Sequence, residues 1–346
     1  MSRCIYCRTV KHSTMFNSRE HVIPQSFGKF NPTNLILNDK NQRIWKVCDS
    51  CNNNFSKFER WLAKDSYEGY ILRQQYLAKP NKKTKAQKLY KRNRIAIVIQ
   101  EGNFKGVTVE LINEKTITLL PQIGLLNKKG SWDYFLIDEV ERINKENYQL
   151  EEKKHCLKSF ALSEEEAIEQ FNKIGINFTN TTEFNLPIST SDILCEISTT
   201  VDIVIKRAIA KIAFNFFAYF NYKYIVLDKA FDEIRSFILS GGKNISVKSD
   251  DKAILADENN SSTRRLGHMI VIQKDIYGRV IAQVSLFNSL KYTILLAERC
   301  SHLNIVLAGK FFDLNEMKII ELYQSSLVIP DMKIIVATPK IWLPSF

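Results

Sequence analysis

Two Cys-x-x-Cys pairs, Cys4/Cys7 and Cys48/Cys51, bracket an acidic–histidine dipeptide, Glu20-His21, and Asn52 follows the last cysteine directly. Each pair can form a knuckle, and together they offer four thiolates to one tetrahedral zinc ion. Such a site is closed, leaves no open coordination position, and is structural rather than catalytic. A short segment with a thin core needs a staple of this kind. Between the pairs, a His at a strand end beside a carboxylate can serve as a general base with a metal ligand next to it. Val22 and Ile23 favour a strand there, and Pro24 ends it. A bare Glu-His dipeptide usually marks no more than a polar surface, so these flanks carry the argument. Asn52 opens an expected helix, where asparagine is most often a cap. Its amide oxygen also suits a hard cation such as magnesium, aimed back toward Glu20.

The elements that would position these groups are legible in part. A helix is expected over 52–72, with Phe55, Phe58 and Leu62 forming a core stripe and Lys57 and Arg60 off it, on a face that is solvated by default. Lys79 to Arg94 is rich in Lys and Arg without an acidic residue, and reads as a linker or a basic arm along phosphates. From Ile95 the pattern turns to strands over 95–100, 106–112, 115–120 and 134–140. Ser163 is placed to cap a helix reaching Lys173, with Glu166 at the capping-box position. Apolar residues at helical spacing make 199–221 a core helix, and Gly241-Gly242 ends a second helix over 228–239. Lys243 to Arg265 is polar and reads as loop, and strands follow over 268–273, 279–287, 292–296 and 333–337.

Composition bounds the class. The chain has 346 residues, 45% hydrophobic and 25% charged, which predicts two or three domains able to bury a sizeable core. The formal charge of +12 suits a polyanionic partner. Seven cysteines, an odd number, with no signal-peptide pattern, argue against a disulfide framework. Cys156, Cys195 and Cys300 read as small core residues. The most apolar stretch, around 203–224, is interrupted by Lys206, Arg207, Lys211 and Asn215, so no membrane span is expected, and the chain reads as soluble and cytoplasmic. His12 sits where it could touch phosphate, with a surface role as the default. His155, His268 and His302 lack partners at metal-site spacing and read as structural.

In its ordered parts, Cys4-x-x-Cys7, Glu20-His21-Val-Ile-Pro24 and Cys48-x-x-Cys51-Asn52, the segment from Cys4 to Leu62 resembles the HNH (His-Me finger) endonuclease family, in its zinc-bound four-cysteine subtype. That resemblance implies a ββα-metal module. His21 would be the base that deprotonates the attacking water. Glu20 and Asn52 would be ligands of a catalytic Mg²⁺ or Mn²⁺, and Cys4, Cys7, Cys48 and Cys51 ligands of structural Zn²⁺. It also implies products with a 5′ phosphate and a 3′ hydroxyl. The family's middle Asn, which braces the loop, falls at the spacing occupied by Arg43; Asn34 is the better candidate, with Asn38 and Asn41 as alternatives. The expected fold class is α+β: a zinc-stapled module followed by a larger mixed α+β region. The expected division is 1–72 nuclease module, 73–94 basic linker or arm, 95–198 β-rich middle, and 199–346 a helical pair with strands for target recognition or regulation. The implied partner is nucleic acid, with double-stranded DNA foremost, in restriction or anti-phage defence, with a homo-oligomer or a defence-system partner protein as further expectations. The competing readings are a non-catalytic zinc-ribbon binding protein and an RNA-cutting or junction-resolving nuclease. The site reads the phosphate rather than the base, so the motif does not choose between nucleic acids.

Overall fold

Asp49 and Cys48 begin the first helix, and Ser66 ends it. In the computed structural model, which describes residues 1–31, 35–38, 46–77, 95–113, 116–150, 156–161, 163–177, 193–221, 225–242, 247–250, 265–300 and 307–322, five α-helices are defined. They are α1 (Asp49–Asp65), α2 (Arg73–Leu77), α3 (Glu164–Lys173), α4 (Ile203–Phe220) and α5 (Asp232–Ser240). The helix expected over 52–72 is therefore interrupted. Ser66 takes an extended conformation, its hydroxyl accepts from the Gly69 amide, and a wide π-type turn covers Tyr67–Leu72. Gly69 is required there, because a Cβ would fall on the carbonyl oxygen of Leu62. The other caps follow the sequence: Ser163 accepts from the Glu166 amide, Asp202 accepts from two amides at the start of α4, and Gly241 closes α5 at φ 73°.

The described residues divide into two compact units, one within Met1–Leu77 and Val201–Lys340, the other within Ala78–Thr200. Mixed helices and sheets make up both, in agreement with the expected α+β class.

In the first unit, a six-stranded antiparallel sheet runs in the order Val247–Asp250, Leu290–Ala297, Val280–Leu286, Gly267–Lys274, Leu307–Asp313, Lys318–Leu322. The strand Val247–Asp250 lies inside the stretch expected to be loop, and its pairing with 291–294 supplies the order that its polar side chains conceal. The strand expected over 333–337 lies outside the described residues. Helix α4 packs on the middle of this sheet, with α5 and α1 against it. It is buried on nearly every side, from Ile205 and Ala208 to Phe217 and Ala218. Apolar around most of its circumference, and interrupted by Lys206, Arg207, Lys211 and Asn215, α4 is a core helix of this unit.

The amino-terminal segment shares this core. Phe27 and Phe30 pack against His268 and Phe287 or Phe312 of the sheet, and the Asn31 amide donates to the Met317 carbonyl at 2.8 Å. His268 is sealed between the Phe27 carbonyl and the Phe287 amide, and burial lowers its pKa to about 4, so it is neutral and structural. Tyr292 donates to the buried Glu68 carboxylate at 2.5 Å, tying the turn after α1 to the sheet.

In the second unit, a four-stranded sheet (Thr116–Leu119, Thr108–Asn113, Ile95–Ile99, Cys195–Thr199) lies beside a three-stranded one (Trp132–Leu136, Gln122–Leu126, Leu157–Phe160). Buried Gln122 joins them through both atoms of the Thr108 peptide. The core holds Ile123, Leu125 and Phe171, the last from α3. The strand expected to reach Val140 stops at Leu136, and a short 3₁₀ turn takes over at Val140–Arg142.

Tyr292→Phe removes the hydroxyl that Tyr292 donates to the Glu68 carboxylate. It is expected to cost about 1–3 kcal/mol of unfolding free energy in urea, the penalty for leaving a buried carboxyl short of a partner. An unchanged midpoint at unchanged slope would count against this role.

Candidate functional site

The four cysteines come together. Their sulfurs all lie within 4.8 Å of one another, with Cys4–Cys51 and Cys7–Cys48 at 3.9 Å. A tetrahedral zinc with Zn–S near 2.3 Å has S–S edges of about 3.8 Å, so the cluster has the dimensions of such a site. The knuckle after Cys4 turns at Arg8, held left-handed at φ 58° with its amide donating to the Cys4 carbonyl. Cys48 is the N-cap of α1, which puts Cys51 in its first turn. As thiols the cysteines hold one another's protons: the hydrogen bond with Cys4, then burial, pushes Cys48 up to about 12. Lys11 Nζ lies 3.2 Å from Cys48 Sγ and would offset part of the charge of four thiolates around one dication. The donor set fits zinc.

Glu20 and His21 sit on a short bridge rather than a full strand. His21 pairs with Ile36, the Val22 amide donates to the Leu35 carbonyl at 2.9 Å, and the Leu37 amide to the Glu20 carbonyl at 2.8 Å. Pro24 then starts a 3₁₀ turn over Gln25–Phe27. Asn38 braces the segment. Its amide nitrogen donates to the carbonyls of Ser18 and Val47, and its oxygen accepts from the Lys46 and Val47 amides. Ser18 is also fixed to the start of α1, its amide and hydroxyl both donating to Asp49 Oδ1 at 2.8 Å. Asn34, Asn41 and Arg43 lie outside the described residues. Among the described asparagines, Asn38 makes the loop-bracing contacts.

Glu20 is 2% exposed. Its Oε1 accepts from Asn215 Nδ2 at 2.6 Å and pairs with the Lys211 ammonium, which also pairs with Glu59 of α1. Asn215 and Lys211 both reach the His21 carbonyl as well, at 3.2 and 3.4 Å. Tyr6 orients Asn215 by donating to its Oδ1 at 2.6 Å, and Tyr6 is itself wedged against Phe55 and Phe214. Burial pushes the Glu20 carboxyl up to about 7, against the pull of Lys211. Burial also works against the charge on Lys211, but the two carboxylates outweigh it and the ammonium is held more firmly than usual.

His21 is half-buried, and burial, then the positive charge of Lys211, lowers its pKa from the ordinary histidine value. The ring is therefore neutral at neutral pH, the form able to take a proton. Nε2 faces the Gln25 side-chain amide at 3.0 Å. Asn52 is half-buried near the start of α1, and helical spacing puts it on one face with Phe55 and Glu59, the face turned toward Tyr6 and Lys211.

Glu20 and Asn52 offer oxygens of the kind that a hard divalent cation takes. Lys211 and Asn215 engage Oε1 of Glu20, so Oε2 is the oxygen with which it would reach a metal. Two carboxylates against one ammonium also leave a negative charge that a further cation would balance. His12 is engaged locally, its ring 3.0 Å from Thr14 Oγ1 at the head of a 3₁₀ turn. Lys57 lines a surface groove beside the zinc cluster with Lys11, Asn53 and Asn54.

Tyr6, Glu59, Lys211 and Asn215 are the residues the sequence reading did not assign to the site. A signal existed for two of them: Lys211 and Asn215 are four apart in a helix whose other buried residues are Ile, Ala and Phe.

Residues 4–64 match the model of a family described as HNH endonuclease. No curated protein and no solved structure matches the chain. No helix among the described residues is long and apolar enough to cross a membrane.

Cys48→Ser removes one of the four thiolates, while serine is a favoured N-cap and keeps the start of α1. Zinc measured by mass spectrometry is expected to fall from about one per chain toward none, with a loss of thermal stability, since structural zinc contributes folding energy directly. Unchanged zinc content would rule out the four-thiolate site.

Proposed function

Because residues 4–64 match the HNH endonuclease family, we propose that this protein hydrolyses phosphodiester bonds in nucleic acid, with double-stranded DNA as the substrate. The observation that carries the reading is the Glu20-His21 dipeptide: a sealed carboxylate followed at once by a neutral, half-buried imidazole.

His21 removes the proton from the attacking water, the step for which a depressed pKa prepares it. Gln25 holds the ring from the Nε2 side. With the Gln25 amide turned so that its oxygen accepts from Nε2–H, Nδ1 keeps the lone pair that takes the water's proton. Asn38 fixes the backbone on which His21 stands, so that the imidazole does not drift from the reacting phosphate. Glu20 and Asn52 would hold the divalent cation. Once bound, that cation supplies Lewis-acid stabilisation to the scissile phosphate and the leaving 3′ oxygen. The zinc cluster keeps both cysteine knuckles, and with them α1 and Asn52, in place. The net charge of +12 favours approach to a polyanion, independent of sequence.

Purified protein is incubated with supercoiled plasmid, linear duplex DNA and RNA in Mg²⁺ or Mn²⁺, beside His21→Ala. Loss of the base is expected to slow cutting by about 10²–10⁴-fold. A mutant that cuts as fast as the parent removes His21 from the mechanism. A parent that cuts RNA alone changes the substrate, and a parent that cuts nothing supports a binding role for the zinc module.

A further inference from the structure

The part of the candidate site that the family match does not reach is its inner wall. Glu20 and His21 belong to residues 4–64, but the groups that hold them belong to α4, some 190 residues further along the chain. One helical turn presents both. Lys211 and Asn215 are four apart, and each touches the same two targets, the Glu20 carboxylate and the His21 carbonyl. Both are almost completely buried, at 1% and 0% exposure, in a helix whose other buried residues are Ile, Ala and Phe.

Stability alone does not call for this arrangement. Apolar residues of similar volume commonly pack as well as a buried ion pair or better, so a buried polar cluster is poor evidence of a purely structural role. What the cluster does supply is direction. Asn215 is a fork with one orientation, because Tyr6 fills its oxygen and leaves its nitrogen for Glu20 and the His21 carbonyl. Lys211 and Asn215 converge on Oε1 of Glu20, which fixes the rotation of the carboxylate and thereby the aim of its other oxygen. The same two groups pin the peptide that carries the imidazole.

We infer that Asn215 and Lys211 are positioning residues for the Glu20-His21 dipeptide, so that the hydrolytic site is assembled from the amino-terminal segment and from α4. This rests on the nuclease reading above. It makes the region after residue 200 a structural participant in the chemistry, whatever else it does in choosing a target. The family segment taken by itself would carry the dipeptide without its supports.

The test uses the full-length protein, the Asn215→Leu and Asn215→Ser variants, and Lys211→Met. Zinc content and thermal unfolding report the fold. Mn²⁺ binding, followed by electron paramagnetic resonance and checked against Glu20→Gln, reports the carboxylate's aim, and plasmid cutting gives kcat and KM. The Asn215 variants are expected to keep their zinc, bind Mn²⁺ about 10- to 100-fold more weakly and lose kcat by a similar factor, with KM within about threefold of the parent. Lys211→Met is expected to lower kcat to a comparable degree at similar KM. Folded, zinc-loaded Asn215 variants with parental Mn²⁺ affinity and parental kcat would overturn the inference. Loss of zinc from both Asn215 variants would overturn it too, by showing that Asn215 holds only the fold. If the parent binds Mn²⁺ through Glu20 and cuts no nucleic acid, the nuclease reading fails while the Mn²⁺ affinities still judge the positioning. A parent without Glu20-dependent Mn²⁺ binding overturns both.

Discussion

Two carboxylates, Glu20 and Glu59, face one ammonium, Lys211, where α1 and α4 meet. Taking such charges out of water is costly, and the cost is offset only when every partner is in place. The surrounding structure is organised to meet that condition. Tyr6 orients Asn215, Asn215 hydrogen-bonds Glu20, and Phe55 and Phe214 wall the group against solvent. The segment carrying Tyr6, the bridge carrying Glu20, α1 and α4 must therefore be registered with one another to within hydrogen-bond tolerance. A shift of any one of them leaves a charge stranded in the interior.

Two other devices share in that registration. The thiolate cluster joins the first knuckle to the start of α1, and Asp49, the first residue of α1, holds Ser18 from the same end. Asn38 closes the loop from the other side by spending all of its hydrogen-bonding capacity on backbone groups of Ser18, Lys46 and Val47. Lys46 in turn reaches the carbonyls of Ala218 and Tyr219 at the end of α4, where the helix dipole favours a cation. The site is thus tied to α4 at two places: to its middle through Lys211 and Asn215, and to its last turn through Lys46.

The role of α4 changes how the large carboxy-terminal region is understood. Its sheet buries α4 from behind, and His268 and the aromatic residues around it receive Phe27 and Phe30 from the loop after the dipeptide. A segment of about sixty residues, thin in core of its own, acquires a wall of apolar packing and a set of polar supports from residues after 200. The Glu20-His21 segment is held by that shared interior as well as by the four-cysteine cluster.

The amino-acid sequence by itself determined the chemistry-bearing parts whose meaning is local. Cysteines three apart, an acidic residue next to a histidine before Val-Ile-Pro, and Asn after Cys51 are short-range patterns, and metal geometry restricts them tightly enough to be read directly. The capped helices were legible for the same reason, since Ser163, Asp202 and Gly241 act on amides and carbonyls within a few residues. The interruption at Ser66 and the strand at Val247–Asp250 were not, because one depends on a backbone fit around Gly69 and the other on a partner strand more than forty residues away. Only the tertiary structure decided that Asn38 makes the bracing contacts, and that Lys211 and Asn215, read in the chain merely as interruptions of an apolar run, face Glu20 and His21. The physical reason is distance along the chain: a buried charge reveals its partner only once folding has brought the two together, and no periodicity or spacing near residue 20 encodes what residue 211 will do.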